Sequence, residues 1–479
     1  MQTRKTEVAI IGAGSAGMRA YREARDLVED LVLIEGGTYG TTCARVGCMP
    51  SKLLIAAAEA AHAVSHAPTF GIHPETAKVD GREVMRRVRC ERDRFVGFVI
   101  EAIEDFDPSH QLRGEARFLD DHRLQVGEDM IVEAERIVIA TGSRPVYPGF
   151  FAAAGDLLAT NDDVFDWQDL PDSAAVFGAG VIGLELGQAL HRLGVRVRLF
   201  SKGGGIGPLT DPTVRDYAAG AFAAEYPLMP DADVTAIDRD DNAVAVTYRA
   251  QDGTETTEHF ATLLAATGRR PNVDKLALEN TGLECDSHGI PIFDPHTGQC
   301  GDSHVFIAGD VNNTVPLLHE AADEGLIAGQ NAARYPDVRA KPRRAPLSIV
   351  FCEPQIAMVG STYKALEDEG GEFEIGEVSF ENQGRSRVMA QNKGILRLYG
   401  EKGSGRFLGA EMIGPRAEHL GHLLAWALQY GATVQEMIDM PFYHPVIEEG
   451  VRTGLRQLNR KLRMGSGPPP NCLDCGPGG

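Results

Sequence analysis

The sequence lacks any apolar run that approaches the roughly 20 residues of a membrane-spanning helix. It also leaves no room for a removable signal segment, because the first predicted strand, residues 8–11, begins close to Met1 and leads into a glycine-rich loop. Basic residues are scarce, 47 against 68 acidic ones, and the net charge of −21 would repel nucleic acid and anionic membrane surfaces. We therefore expect a cytoplasmic protein that binds neither nucleic acid nor a membrane.

Cysteine is also sparse, with eight residues in a chain of 479. In a reducing compartment such a set does not form a structural disulfide framework, so a close pair is better interpreted as catalytic, redox-active or metal-binding. One close pair is Cys43 and Cys48, and a second is Cys472 and Cys475 near the end of the chain. Packing or surface roles are expected for the four isolated cysteines: Cys90, Cys285, Cys300 and Cys352.

Glycine, by contrast, is abundant, and part of the total of 54 forms two dinucleotide-binding fingerprints, Gly-x-Gly-x-x-Gly. The first glycine permits a tight turn, the second lets the backbone approach a pyrophosphate, and the third lets the following helix pack on its strand. Both fingerprints follow a predicted strand, and each unit ends with an Ala-Thr-Gly phrase, so two Rossmann-like units are predicted. The glycines are Gly12, Gly14 and Gly17 in the first unit and Gly178, Gly180 and Gly183 in the second.

The first unit is longer than the second. The segment with Cys43 and Cys48, and the alanine-rich helix predicted after it from Leu53 to about Val64, are a natural part of its insertion. Two thiols this close can form a disulfide that two electrons reopen, and a flavin can supply those electrons. A zinc site and a simple buried pair are the alternatives, but zinc usually needs four ligands and no matching second pair lies nearby. The sequence therefore predicts disulfide chemistry coupled to a bound dinucleotide, and no metal site.

The residues at the ends of two strands indicate which ribose each unit binds. Glu35 stands at the offset from Gly17 where a carboxylate accepts hydrogen bonds from an adenosine ribose, although it is also consistent with a surface glutamate. At the same offset from Gly183 stands Ser201, followed by Lys202. With no carboxylate to repel a 2′-phosphate, the second unit favours NADPH or both coenzymes, whereas Gly183 itself favours NADH.

The sequence resembles the class I flavoprotein pyridine nucleotide-disulfide oxidoreductases over nearly all of residues 8–463, and most closely the dihydrolipoamide dehydrogenases. The matching features are both fingerprints, both Ala-Thr-Gly phrases, residues 40–52 with Cys43 and Cys48, Gly309-Asp310, and His444-Pro445 with Glu449.

This resemblance implies an α/β fold with two Rossmann-like domains, which bind FAD and NAD(P), and a C-terminal α+β dimerisation domain. We expect the FAD-binding domain in two parts, residues 1–145 and 273–340, with the NAD(P)-binding domain at 146–272 between them. The dimerisation domain is expected at 341–463, followed by a flexible tail at 464–479. The residues predict that the last helix of this domain spans Val446–Lys461.

The resemblance also implies cofactor contacts, with Glu35 at the adenosine ribose of FAD and Asp310 at its ribityl chain. Lys52 would approach the flavin and pair with Glu185. The residues expected at FAD are Gly12, Gly14, Gly17, Glu35, Thr42, Lys52, Thr141, Gly142, Gly309 and Asp310. The residues expected at NAD(P) are Gly178, Gly180, Gly183, Ser201, Lys202 and Gly268.

Four further roles concern catalysis. By resemblance, Cys48 would lie against the flavin as a thiolate, and Cys43 would be the outward thiol that attacks the substrate. His444, held by Glu449, would enter the partner subunit's cysteine site in a homodimer and carry the proton. From the residues alone, this histidine and glutamate are also consistent with an ordinary helix start.

The substrate is a small disulfide or dithiol, and lipoamide is the expected one because residues 181–185 and 318–321 look like dihydrolipoamide dehydrogenase. Two departures favour other substrates or coenzymes: Val446-Ile447 replaces hydroxyl-bearing residues, and Ser201 replaces an acidic one. The open alternatives are an NADPH-dependent reductase of glutathione, thioredoxin or mercuric ion, a flavin oxidase, diaphorase or transhydrogenase with incidental thiols, and a non-catalytic flavoprotein. Three interpretations stay open for the pair Cys472 and Cys475: an electron relay, an adventitious metal site, or a dispensable end of the chain.

Overall fold

The computed structural model describes residues 2–75, 78–250 and 252–462. The pair Cys472 and Cys475, and the expected tail at 464–479, lie outside the described residues. Among the described ranges, no helix combines the length and the apolar character needed to cross a membrane.

The first part of the chain forms a largely parallel sheet. Its elements are β1 (Gln2–Ile11), α1 (Ser15–Arg25), β2 (Leu31–Glu35), α2 (Thr42–Val46), α3 (Cys48–His66), α4 (Gly81–Glu104), β3 (Gln111–Arg113), β4 (Ala116–Phe118), β5 (Arg123–Val126), β6 (Met130–Ile139) and β7 (Ser143–Pro145). The strand order is β3-β2-β1-β6-β5-β4, and β1 pairs in parallel with β2 and β6. Residues 8–11 of β1 are apolar and buried, as a central parallel strand covered on both faces requires.

The second part forms another parallel sheet and a small antiparallel one. Its elements are β8 (Leu158–Thr160), α5 (Asn161–Val164), β9 (Ser173–Phe177), α6 (Val181–Arg192), β10 (Arg196–Phe200), α7 (Pro212–Ala223), β11 (Leu228–Met229), β12 (Asp233–Asp240), β13 (Ala243–Arg249), β14 (Glu255–Phe260), β15 (Thr262–Ala265) and β16 (Arg269–Pro271). The parallel order is β11-β10-β9-β15-β8, and β12-β13-β14 is antiparallel. β16 pairs with β7, so the two Ala-Thr-Gly phrases lead into neighbouring strands where the chain passes between the units.

The chain then returns to the first sheet and continues into a separate C-terminal part. β17 (Val305–Ile307) pairs in parallel with β6, and α8 (Leu318–Arg334) packs on α1. The last elements are β18 (Leu347–Val350), β19 (Gln355–Gly360), α9 (Tyr363–Asp368), β20 (Phe373–Ser379), α10 (Gly384–Val388), β21 (Ile395–Glu401), β22 (Phe407–Gly414), α11 (Ala417–Gln429), α12 (Val434–Asp439) and α13 (Glu449–Leu462). Their antiparallel sheet has the order β18-β19-β22-β21-β20, with α11 and α13 packed against it. The predicted α/β class with a C-terminal α+β part is confirmed.

Two predicted helix starts are wrong, and both lie at the site described below. The alanine-rich helix was expected from Leu53 but begins at Cys48, because Pro50 falls in the first turn, where its missing N–H costs nothing. The last helix was expected from Val446 but begins at Glu449. The Glu449 carboxylate accepts the Val446 N–H at 3.0 Å and holds that residue before the helix.

Candidate active site

The two thiols of the site lie on consecutive helices. Cys43 is on α2, beside the exposed Thr42, and Cys48 is the first residue of α3, with Gly47 between the helices. Both are free thiols, and Cys48 is the more exposed of the two. No side chain caps the start of α3, so its free backbone N–H groups favour a thiolate at Cys48.

Each thiol changes the acidity of the other. The Cys43 thiol donates a hydrogen bond to the Cys48 sulfur, which is the largest cause of a lowered pKa of about 7 at Cys48, while burial opposes it and the Lys52 charge assists. The same hydrogen bond raises the pKa of Cys43 above its ordinary range. The proton of the reduced pair is therefore favoured on Cys43, and the thiolate is favoured on Cys48.

Lys52 lies one turn after Cys48 on α3, and its charge is compensated by a buried carboxylate. Its Nζ is 2.8 Å from Oε2 of Glu185, which is only 4% exposed and comes from α6 of the second unit. The predicted pair is thus present, because α3 packs directly on α6. The pair brings a fixed positive charge beside the two sulfurs.

His444 and Glu449 also meet as the sequence predicts. His444 Nδ1 lies 2.8 Å from Glu449 Oε1, and the second carboxylate oxygen is held by the Val446 N–H. Glu449 is buried, whereas the His444 side chain is 81% exposed. An imidazole that is anchored at one nitrogen and open to solvent at the other is available to a second molecule.

The first fingerprint has the geometry of a pyrophosphate cradle. A Cβ on Gly17 would come within 1.7 Å of the Gly12 carbonyl oxygen, so helix α1 packs against the turn only with glycine there. A Cβ on Gly14 would meet nothing within 4 Å, and no side chain caps α1. The open space before these free N–H groups fits the pyrophosphate of FAD.

The carboxylate of Glu35 at the end of β2 is fixed beside this turn. Its two oxygens accept the N–H groups of Ala13 at 2.8 Å and Gly37 at 2.6 Å. These bonds leave carboxylate lone pairs for a ribose hydroxyl, so Glu35 also fits FAD.

The expected ribityl side of the cradle is built by three chain segments. Asp310 Oδ2 accepts the Ser143 hydroxyl at 2.8 Å, which joins the residue after Gly142 to the end of β17. The Thr141 hydroxyl instead donates to the Asn272 carbonyl oxygen at 2.8 Å, so it holds the crossing between the units. Positive φ angles occur at Gly142 and Gly309.

The second fingerprint repeats the first with one change. Gly178 has φ of +109°, a Cβ on Gly183 would lie 1.8 Å from its carbonyl oxygen, and Gly180 faces open space. The N–H of Ala179, which corresponds to that of Ala13, donates to the Ser201 hydroxyl at 3.2 Å. Ser201 thus takes the structural place of Glu35 without its charge, and these residues fit a dinucleotide.

The cations near Ser201 differ in availability. Lys202 is exposed and has no ion pair within the described ranges, whereas Arg198 is paired with Glu258 at 2.8 Å. Gly268, at the end of the second Ala-Thr-Gly phrase, has φ of +121°. Of these two cations, Lys202 is therefore the one without a carboxylate partner among the described residues.

Sequence reasoning missed Phe351, which contacts both Lys52 and Glu185. It also missed Ser143 as the partner of Asp310. Neither residue belongs to a recognisable motif, and each contacts a partner that is far away in the sequence. Only the packing of the folded chain therefore reveals them.

Two family models match the chain. The model of the pyridine nucleotide-disulphide oxidoreductases covers residues 6–325, and that of their dimerisation domain covers residues 347–454. The dimerisation domain supports a homodimer.

Curated relatives match along nearly the whole chain. The dihydrolipoyl dehydrogenase of Haloferax volcanii is 30% identical over 457 residues, which are 93% of this chain and 94% of the relative. The mercuric reductase of Shigella flexneri is 30% identical over 471 residues, which are 95% of this chain and 81% of the relative.

Solved structures show the same fold. LpdA of Mycobacterium tuberculosis superposes with a TM-score of 0.80 at 24% identity, covering 95% of this chain and 99% of that one. The Cu(II) complex of the HOCl-induced flavoprotein disulfide reductase RclA of Escherichia coli gives 0.79 at 22%, covering 94% and 99%. The chain belongs to the pyridine nucleotide-disulphide oxidoreductase family and is an FAD-dependent disulfide oxidoreductase that uses NAD(P)H.

Proposed function

We propose that the protein moves electrons between NAD(P)H and a small disulfide or dithiol through Cys43 and Cys48, and that dihydrolipoamide is its substrate. The observation that carries the proposal is the pair of free thiols on α2 and at the start of α3, next to the Lys52–Glu185 ion pair. A cytoplasmic location is part of the proposal, because the cycling pair needs a reducing compartment.

The exchange at the sulfurs balances as follows. A substrate thiolate attacks Cys43 of the Cys43–Cys48 disulfide, and Cys48 leaves as the thiolate that Lys52 stabilises. The second substrate thiol loses its proton and displaces Cys43, which releases the cyclic disulfide and leaves Cys43 protonated. The reduced Cys43–Cys48 pair then carries two electrons, for which FAD, when bound, would provide the route to NAD⁺. Overall, dithiol and NAD⁺ would become disulfide, NADH and H⁺.

The proton carrier in this proposal is His444 of the partner subunit. A histidine on the surface of one protomer, oriented by a buried Glu449, suits a site completed by a second chain. It accepts the proton of the incoming dithiol and returns it to a leaving thiol when the reaction runs in reverse.

The domain boundaries stay part of the proposal: residues 1–145 and 273–340 for FAD, 146–272 for NAD(P), and 341–463 for dimerisation. The pairing of β7 with β16 supports them, because both passages between the first two units lie in one small ladder.

Coenzyme choice is proposed to include NADPH, because Ser201 has no charge and Lys202 is free to meet a 2′-phosphate. Ser201→Glu should shift the kcat/KM ratio towards NADH at least about tenfold, since a carboxylate repels the 2′-phosphate. Ser201→Ala is the matched control and should not favour NADH. Equal ratios in all three proteins would contradict this assignment.

Lipoamide is favoured because dihydrolipoyl dehydrogenases are among the similar proteins, but a mercuric reductase is equally similar, and so mercuric ion is the second candidate. The test is anaerobic reduction of the holoenzyme by NADH or NADPH, followed by addition of lipoamide, glutathione disulfide or mercuric ion. We expect lipoamide to reoxidise the protein fastest. Faster reoxidation by glutathione disulfide or mercuric ion would contradict the assignment of lipoamide as the substrate.

The role of the thiols is tested in the same experiment. Two-electron reduction should produce a long-wavelength absorption band from the thiolate beside the flavin. Cys48→Ser should abolish the band and the disulfide turnover while FAD remains bound, and Cys90→Ser should change neither. If the Cys48→Ser variant turned lipoamide over at the wild-type rate, the proposed function would be refuted.

A further inference from the structure

Phe351 joins the Lys52–Glu185 pair to the dimerisation part of the chain. It directly follows β18, and its backbone N–H donates to Glu185 Oε1 at 2.9 Å. The ammonium of Lys52 lies 4.6 Å from the centroid of its ring. Phe351 therefore contacts both members of the ion pair, through its backbone and its ring.

Lys52 needs such a second contact to keep one position. Its side chain is long and 33% exposed, so the ammonium has a path to solvent, while Glu185 is fixed in the interior. A ring face within about 6 Å of an ammonium attracts it, and more strongly where water is partly excluded. The ring and the carboxylate together hold the ammonium that acts on the sulfurs.

Phe351 is itself held firmly on helix α6. The next residues, Cys352 and Glu353, continue the contact: Gln188 accepts the Glu353 N–H at 2.8 Å and donates to the Glu353 carbonyl oxygen at 2.7 Å. Cys352 and Gln188 are both buried. The segment 351–353 is thus a fixed support rather than a mobile loop.

We propose that Phe351 is a positioning residue, which holds the Lys52 ammonium against Glu185 and beside the Cys43–Cys48 pair. The inference deepens the proposed function, on which it rests, since it concerns the same thiols. No motif or comparison assigns a role to this residue. It gives the dimerisation part of each chain a direct effect on the thiol chemistry of its own protomer.

The groups that face the two sulfurs define the readout. Within the described residues, the charges that act on the thiol pair come from Lys52 on α3 and Glu185 on α6. The other two groups are the sulfurs themselves, Cys43 on α2 and Cys48 on α3, each of which acts on the other. The proposed fifth group is His444 of the partner subunit. Because the two thiols titrate as a pair, the measured quantity is the apparent pKa of their combined alkylation.

The experiment uses reduced, FAD-loaded protein without NAD(P)H or disulfide substrate, so it is independent of turnover. Iodoacetamide is pulsed between pH 5 and 10, and mass spectrometry sums the label on Cys43 and Cys48. Phe351→Leu keeps the volume but removes the ring face, and it should raise the apparent pKa by about half a unit. Phe351→Tyr keeps the face and should match wild type.

Lys52→Met sets the upper limit of the effect. It should raise the apparent pKa more than Phe351→Leu does, and the double variant should match Lys52→Met, because the ring acts only through the ammonium.

FAD content and circular dichroism establish that each variant folds, and Phe351→Met replaces Phe351→Leu should the latter fail to fold. An unchanged pKa in the non-aromatic variant, equal shifts in the Leu and Tyr variants, or additive shifts in the double variant would overturn the proposal. If these pKa shifts are observed but the protein does not react with lipoamide, only the proposed substrate is refuted, and the role of Phe351 stands.

Discussion

At the scale of single residues, the chemistry depends on how neighbouring groups alter the same functional group. Cys43 and Cys48 carry identical side chains, but the donated hydrogen bond raises the pKa of one and lowers that of the other. Glu35 and Ser201 accept corresponding backbone N–H groups, from Ala13 and Ala179, but only one of them carries a charge. The division of roles therefore arises from a side-chain contact in the thiol pair and from the identity of one residue in the Glu35 and Ser201 pair.

The thiol pair gives a prediction at this scale. Cys43→Ala removes the hydrogen bond to Cys48 and should raise the pKa of Cys48 from about 7 by at least about one unit. The pH profile of Cys48 alkylation in the reduced protein then moves to higher pH, since only the thiolate reacts. Cys43→Ser, which keeps a hydroxyl donor, should shift the profile less, and Cys90→Ala should not shift it. A profile of Cys43→Ala that matches wild type would contradict the assigned hydrogen bond.

At the scale of elements, the site depends on helices that pack against one another. Helix α3 presents Cys48 and Lys52 on one face, and its contact with α6 supplies Glu185. A second contact fixes the segment before α7 to the C-terminal sheet. The fully buried Glu411 on β22 accepts N–H groups of Thr210, Asp211 and Tyr363.

Glu411→Gln tests this contact. The amide nitrogen of glutamine would face backbone N–H donors in the interior, which should lower the free energy of unfolding by about 2 kcal/mol. Chemical denaturation followed by tryptophan fluorescence measures the change. Glu401→Gln is the matched control on neighbouring β21, because Glu401 is paired with Arg406 on the surface, and its midpoint should stay at the wild-type value. Equal midpoints for the two variants would show that Glu411 adds nothing to the junction.

At the scale of the whole molecule, the proposed site draws on the first two units and on the C-terminal part of the chain. The thiols lie between the first two units, and His444 projects from the C-terminal part with most of its side chain exposed. Large aromatic side chains are also exposed in that part, among them Trp426, Tyr430 and Tyr443. In the proposed arrangement, a homodimer would cover such surfaces and would bring the histidine of one chain to the thiols of the other.

Heterodimers of two inactive variants test this arrangement. In a dimer of Cys48→Ser with His444→Ala, one site carries both defects and the other carries none, so turnover should recover to about half of wild type. A dimer of His444→Ala with Glu449→Ala is the control and should recover far less, because each of its sites keeps a defect of the same dyad. Recovery in neither dimer would mean that His444 acts on the thiols of its own chain. The assay is lipoamide turnover of tandem-tagged, purified heterodimers.

Much of the site was predictable from short motifs. The glycine fingerprints, the Cys43–Cys48 segment and the five-residue step from His444 to Glu449 act within one turn or loop, and the structure places each as a local unit. The predicted Lys52–Glu185 contact came from the family resemblance, since nothing local joins two residues so far apart. The predicted helix starts at Leu53 and Val446 were wrong. A proline is accepted in the first turn of the helix that begins at Cys48, and a hydrogen bond from Val446 to Glu449 delays the start of the last helix.

The sequence alone determined the dinucleotide turns, the redox pair and the absence of a carboxylate at Ser201, because backbone geometry and side-chain chemistry at these positions are set by residues nearby in the chain. Only the tertiary structure decided that Phe351 supports Lys52, that β7 pairs with β16, and that Glu411 holds the segment before α7. These contacts join residues far apart in the chain, and such pairs are selected by the packing of layers rather than by any local pattern.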